Sequence, residues 1–281
     1  MRTKHVFGLF LPALVAASAF GASGCFDEPS WRGAGDNEIV FGISQAKQAD
    51  GKVVTTVGYE FLDVMDNGWS TYGFTSRDRS CWAERLDGRA GKPRVEGGVA
   101  KFQGGLLPPG GIAVVANRPD ELTLDAPAWS RGGESLTFEA RGFAMPEITP
   151  ERVVVPSTEL TVTAPAADAE VTLDANADLE VSWAPGDASV ARETVVGSFV
   201  SKGPGGSRGV ELRCFFDRRD GKGVFPRQMV QRFAALAGEG EVKGALSFAT
   251  HRQLTIFADG GWIVYVVATA EQRTQGFALK R

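Results

Sequence analysis

Apolar and polar residues alternate with a period of two along much of the chain. Leu136, Phe138 and Ala140 fall on one side of Ser135–Ala140, with Thr137 and Glu139 on the other. The pattern recurs where Leu160 and Val162 alternate with Thr161 and Thr163, and where Leu179, Val181 and Trp183 oppose Glu180 and Ser182. It returns where Val210, Leu212, Cys214 and Phe216 oppose Glu211 and Arg213, and where Val242, Leu246 and Phe248 oppose Lys243 and Ser247. Successive side chains of a strand point to opposite faces, so each stretch predicts a strand with one face buried and one wet. Trp262–Ala268 is apolar throughout, which predicts a central strand buried on both faces. Turn clusters follow at short, fairly regular intervals, the rhythm of β-sandwiches.

A helical pattern stands out once, at 226–237 (PRQMVQRFAALA). Pro226 suits a helix start and Gly238 its stop, while Met229, Phe233 and Leu236 share one face. Three prolines interrupt Met145–Ser157 and mark a boundary. The expected fold is therefore all-β, with β-sandwich domains at 38–150 and 157–281 and one short helix in the second.

Residues 1–24 read differently. Arg2 and Lys4 precede the apolar run Val6–Ala17, and small residues follow, the layout of a secretory signal peptide. From Val6 to Phe20 about 15 residues span roughly 22 Å as helix, short of the roughly 30 Å hydrocarbon core, so the segment reads as a cleaved signal and not a membrane span. Residues 25–37, polar and containing Gly and Pro, read as the tether of the mature chain.

At the end of that signal, Ala22-Ser23-Gly24-Cys25 resembles the lipobox of bacterial lipoproteins. The resemblance implies that Cys25 is acylated with diacylglycerol, becomes the mature N-terminus and holds the protein on a membrane. More than one acyl chain makes such an anchor stable. In the sorting pattern of these lipoproteins, Asp directly after the Cys retains the protein at the inner membrane. Phe26 stands there, which implies the outer membrane. Without lipidation, cleavage after Ala17-Ser18-Ala19 would leave Cys25 a plain thiol.

Further on, Asp178–Gly186, with Trp183 just before Pro185, resembles the early core strand of a fibronectin type III or related immunoglobulin-like sandwich. The chain as a whole is similar to the two-part β lipoproteins of Gram-negative bacteria.

Composition narrows the chemistry. Of 281 residues, 30 are Lys or Arg and 34 Asp or Glu; removal of residues 1–24 takes two bases and no acid, moving the net charge from −4 to −6. That balance argues against nucleic-acid binding and against electrostatic adhesion to anionic lipid. The histidines are His5, in the signal, and His251, so the mature chain cannot hold a multi-His metal site. No cofactor is expected. Asp217–Gly223 is out of phase for a calcium loop, and Gly203–Gly209 lacks the Lys-Ser/Thr pair of a phosphate cradle. No G-x-S-x-G elbow or cysteine-protease signature is present, and His251, between two strands, reads as an exposed turn residue.

Two sets of side chains remain candidates. Cys81 and Cys214 could pair in an oxidising compartment or stay separate, Cys214 as a small apolar residue on the inward face of its strand. Trp69 and Tyr72, in NGWSTYGF, could serve as a ligand-binding aromatic platform or join the core. The expected function is a non-enzymatic, lipid-anchored envelope protein that binds or scaffolds an envelope protein or a glycan. The alternatives are an envelope hydrolase using a carboxylate pair in a cleft between the domains, and an accessory lipoprotein of an outer-membrane assembly or secretion complex.

Overall fold

The structure is a computed structural model that describes residues 38–281 apart from 49, 63–80, 86–97, 116–120, 144, 167–169, 187–192 and 203–207. Strands dominate, as the alternation predicts, and α1 (Arg227–Ala237) is the α-helix of the described residues. In chain order the first group is β1 (Glu38–Lys47), β2 (Val53–Leu62), β3 (Cys81–Arg85), β4 (Gly98–Gly104), β5 (Ile112–Val115), β6 (Glu121–Leu124), β7 (Ser135–Gly142) and β8 (Ile148–Val154). There follow β9 (Val162–Ala164), β10 (Val171–Asp174), β11 (Leu179–Trp183), β12 (Thr194–Lys202), β13 (Arg208–Asp217) and β14 (Lys222–Phe225). Beyond α1 lie β15 (Lys243–Ala258) and β16 (Trp262–Lys280), a long hairpin.

A nine-stranded sheet forms the backbone of the molecule, in the order β3-β13-β12-β15-β16-β1-β2-β6, with β10 also pairing β16. A four-stranded sheet, β5-β4-β7-β8, covers one half of it and a three-stranded sheet, β14-β11-β9, covers the other. The first core joins Ile39, Phe41 and Val57 of the large sheet to Phe102, Phe138 and Val153 of the four-stranded one. The second joins Val195, Phe199 and Leu212 to Val181, Trp183 and Phe225, with Met229, Val230 and Phe233 of α1 packed in. Asp178 Oδ1 accepts the first helical amide, Arg227 N, at 2.6 Å, so a side chain 49 residues away caps the helix and Pro226 stands just outside it. Gly238 ends it at φ +77°, a conformation a Cβ would disfavour.

The expected separation into domains at 38–150 and 157–281 requires correction. β1 pairs β16 in parallel, with Glu38 opposite Ile263, and β3 pairs β13, so strands from both sides of the boundary share one sheet. Residues 34–281 make one compact unit. Periodicity reports which face of a strand is buried and carries no information about its partner. The Pro-rich stretch itself carries β8, the last strand of the four-stranded sheet in chain order, and the three-stranded sheet begins after it.

The long hairpin serves both cores. In β15, Leu246 and Phe248 enter the second core and Leu254, Ile256 and Ala258 pack on the first, all in one phase. In β16, Val264, Val266, Ala268 and Ala270 line the first core but Phe277 and Leu279 the second, a change of phase. The register supplies the reason: Phe248 faces Arg273 while Ala249 faces Glu271, leaving Gln272 as an extra residue. This bulge flips the alternation and keeps both apolar runs on one face of the sheet.

Candidate functional site

The described part of the molecule concentrates its buried polar groups in two places. The first is a waist between the cores, where Thr250 and Arg252 of β15 interrupt the apolar run and Gln272 bulges from β16. The chain passing from β8 to β9 crosses here. Thr250 Oγ1 and Gln272 Nε2 both donate to the Ser157 carbonyl, at 2.5 and 3.3 Å, and Ser157 N donates to Glu193 Oε2 at 3.0 Å. Trp129 Nε1 donates to Pro156 O at 2.9 Å, and Gln45 bonds both Ala128 N and Trp129 O.

Glu193, whose side chain is fully buried, pairs with Arg218; the Arg218 Nη2 donates to Glu159 O at 2.8 Å. Arg252 lies 4.0 Å from the other Glu193 oxygen. Desolvation pulls the Arg252 pKa below its ordinary value; the Glu193 charge opposes that and the Arg218 charge adds to it. One carboxylate between two guanidiniums is an arrangement for holding chain segments together.

The second place is the opposite face of the large sheet, on β3, β12, β13 and β15. Register sets Glu84 directly across from Glu211, both buried. Glu211 accepts from Ser198 Oγ at 2.5 Å and from Arg213 Nε at 2.8 Å. The Arg213 guanidinium sits 5.6 Å from the centre of the Trp82 ring, and Trp82 stacks on Phe215 at 5.0 Å. His251 completes the row: its ring meets Phe215 edge-on at 5.4 Å, and Nδ1 lies 3.3 Å from Thr269 Oγ1. The expectation that His251 is an exposed turn residue is therefore overturned. It stands inside β15, opposite Thr194 of β12 and Thr269 of β16, and its pKa is lowered to about 4, first by desolvation and then by Arg213. A lone His among polar neighbours gives no sequence signal of burial.

Cys81 and Cys214 face each other across the β3–β13 pair and are joined by a disulfide, with Cα atoms 4.0 Å apart and a sequence separation of 133. Both are buried in the second core, so the bond ties an edge strand into it. Trp183 is buried in the same core, its Nε1 donating to Arg218 O at 2.8 Å. Cys25, Trp69 and Tyr72 lie outside the described residues. Neither Glu193 nor the Glu84–Glu211 pair can be singled out from sequence, because their partners come from distant strands. A shallow concavity of about 480 Å³ lined by Asn176, Asp178, Pro226, Arg227 and Gln228 is the capped start of α1.

Among the described residues no group of three or more His, Cys, Asp or Glu could hold a metal ion, and no helix is long and apolar enough to cross a membrane. The class defined by this geometry is an all-β protein with two sandwich-like cores on one shared sheet. Compared with known proteins, the chain matches no family model and no curated sequence.

Proposed function

We propose that this is a lipid-anchored cell-envelope protein, acylated at Cys25, whose β body acts as a binding or scaffolding module for an envelope protein or a glycan. The outer membrane is its favoured location, since Phe26 and not Asp follows Cys25. The observation that carries the reading is the distribution of the three cysteines. Cys81 and Cys214 consume each other in a disulfide, a bond that persists in an oxidising compartment. Cys25 is left as the odd thiol, directly behind Ala22-Ser23-Gly24. Acylation gives that thiol a use and spares an exported protein a reactive group.

Intact mass of the mature protein from a Gram-negative host, beside a Cys25→Ser control, tests the anchor. A native chain beginning at Cys25 with added acyl mass, absent from the control, supports it. A chain beginning near Phe20 without lipid overturns it.

Carboxylate-based glycan hydrolysis is the second reading, and the Glu84–Glu211 pair is the observation in its favour. It requires that Glu84→Gln and Glu211→Gln each abolish turnover of cell-wall glycan while leaving the unfolding midpoint in place. Failure of the unaltered protein to cleave any such glycan removes it.

A further inference from the structure

The turn joining β15 to β16 projects from the end of the molecule at which the described chain begins. β1 runs parallel to β16 with its first residue, Glu38, opposite Ile263, so Trp262 and the turn Asp259–Gly261 extend past the start of β1. Strands neighbouring in a sheet are about 4.8 Å apart, which puts Glu38, where β1 begins, beside the root of the turn. Twelve residues separate Cys25 from Glu38, a length that reaches at most about 45 Å even when fully extended.

What the turn presents is apolar. Phe257 is 68% exposed, more than Leu106, Leu122 or Val224, the other large exposed hydrophobics of the described residues. Trp262, across from Ala258, is half-buried, one side packed on the first core. Gly260 and Gly261 hold φ of +74° and +78°, a tight reversal open to residues without Cβ, so the turn is a defined element. From Phe257 to Ile263 the single ionisable residue is Asp259. Trp and Phe beside a glycine turn suit a lipid–water interface, where an aromatic ring sits at headgroup level. Asp259 and the mature net charge of −6 select against an anionic surface.

We propose that the β15–β16 turn is a second membrane contact: Phe257 and Trp262 rest in the headgroup region of the bilayer that holds the lipid anchor, orienting the β body with this end down. The contact rests on the anchored reading above, and the two are separated by independent readouts.

The test uses full-length protein from a Gram-negative host on vesicles of phosphatidylethanolamine and phosphatidylcholine, some carrying a nitroxide-labelled lipid. An environment-sensitive fluorophore is attached through Phe257→Cys or, as the control, through Lys243→Cys. Lys243 is exposed at the far end of β15, on the order of 45 Å away. In acylated protein the label goes to the new thiol, because Cys81 and Cys214 are buried and bonded and the Cys25 sulfur carries the lipid. Intact mass of the same samples reports acylation. With acyl mass present, the contact predicts a blue shift at position 257 and loss of most of its emission to the nitroxide, with position 243 unchanged. Acylated protein whose 257 probe stays in water overturns the contact and leaves the anchor standing. Absence of acyl mass overturns both.

Hydrogen exchange on the unlabelled protein is a second measurement. Vesicles should slow exchange across residues 255–262, and Phe257→Ser should abolish that slowing; equal exchange in both proteins also overturns the contact.

Discussion

The two cores use the same sheet and are held shut by different means. The first sets a cluster of rings among its aliphatic side chains: Phe41 contacts Phe138 and Phe143, each with centroids 5.1 Å away, and Phe102 meets Phe138 at the same spacing. Phe143 holds φ at +60°, unusual for a bulky residue, while its ring is buried against Phe41 and Tyr59. The second core has its own Phe cluster but adds α1 and a covalent tie to an edge strand. The difference follows from how each core meets the sheet. The first draws its strands β1, β2 and β6 from one side of β16 as a contiguous set with β2 between the other two. The second ends at β3, five residues whose strand neighbour among the described residues is β13 and against which α1 packs.

That contrast can be broken most directly at the disulfide. Replacing both Cys81 and Cys214 by Ser should cost up to about 5 kcal/mol on chain-entropy grounds, since the bond closes a loop of more than a hundred residues. Hydrogen exchange should show protection falling first in β3 and β13, with β4 and β7 little changed; equal loss everywhere would mean the two cores share all their stability. Phe138→Ala is the matching cut in the first core. It should cost about 4 kcal/mol through the cavity left among fully buried rings, measured by guanidinium unfolding.

The waist decides whether the cores melt together. Glu193→Gln leaves Arg218 buried without its partner and should destabilise by about 3 kcal/mol, splitting a single calorimetric transition into two. The paired change Glu193→Leu with Arg218→Met should be far milder, because no buried charge is then stranded. A single transition in Glu193→Gln would assign the coupling to the shared hairpin alone.

His251 gives the smallest effect at neutral pH and a distinctive one in acid. Its folded pKa of about 4 lies below the ordinary value of 6.5, so the unfolded chain binds the proton more readily between those values. The stabilisation is complete above about pH 6.5 and is lost as pH falls toward 4, reaching about 3 kcal/mol. Glu134 and Asp174, whose pKa values are lowered by hydrogen bonds from Ser130 and Asn176 in the first place, begin to lose theirs as pH falls past their ordinary values of 4.5 and 3.8, at the acid end of that window. Unfolding midpoints followed from pH 7 to 4 should therefore flatten in His251→Gln; an unchanged slope would show that the ring charges without cost.

Local alternation was sufficient for the strands it marked. Leu136, Phe138 and Ala140 are buried and Thr137 and Glu139 are not fully so, because a period of two is a property of the strand itself. The helix was legible for the same reason, Met229 and Phe233 being buried where its apolar face predicts. Trp129 gave no such signal: it lies in the loop between β6 and β7, is buried in the first core, and bonds to Gln45 and Pro156, both distant in sequence. Glu84, Glu193 and Glu211 read as ordinary wet-face or loop acids until their partners are known.

Element type, the apolar faces and the helix are local features, and the sequence determines them by itself. The partners were decided by the tertiary structure: β1 beside β16, β3 beside β13, Cys81 bonded to Cys214, and one sheet where a proline-rich stretch suggested two domains. Gln272 shows why. A bulge exists only relative to the strand opposite, and that single extra residue returns β16 to the face on which both cores are built.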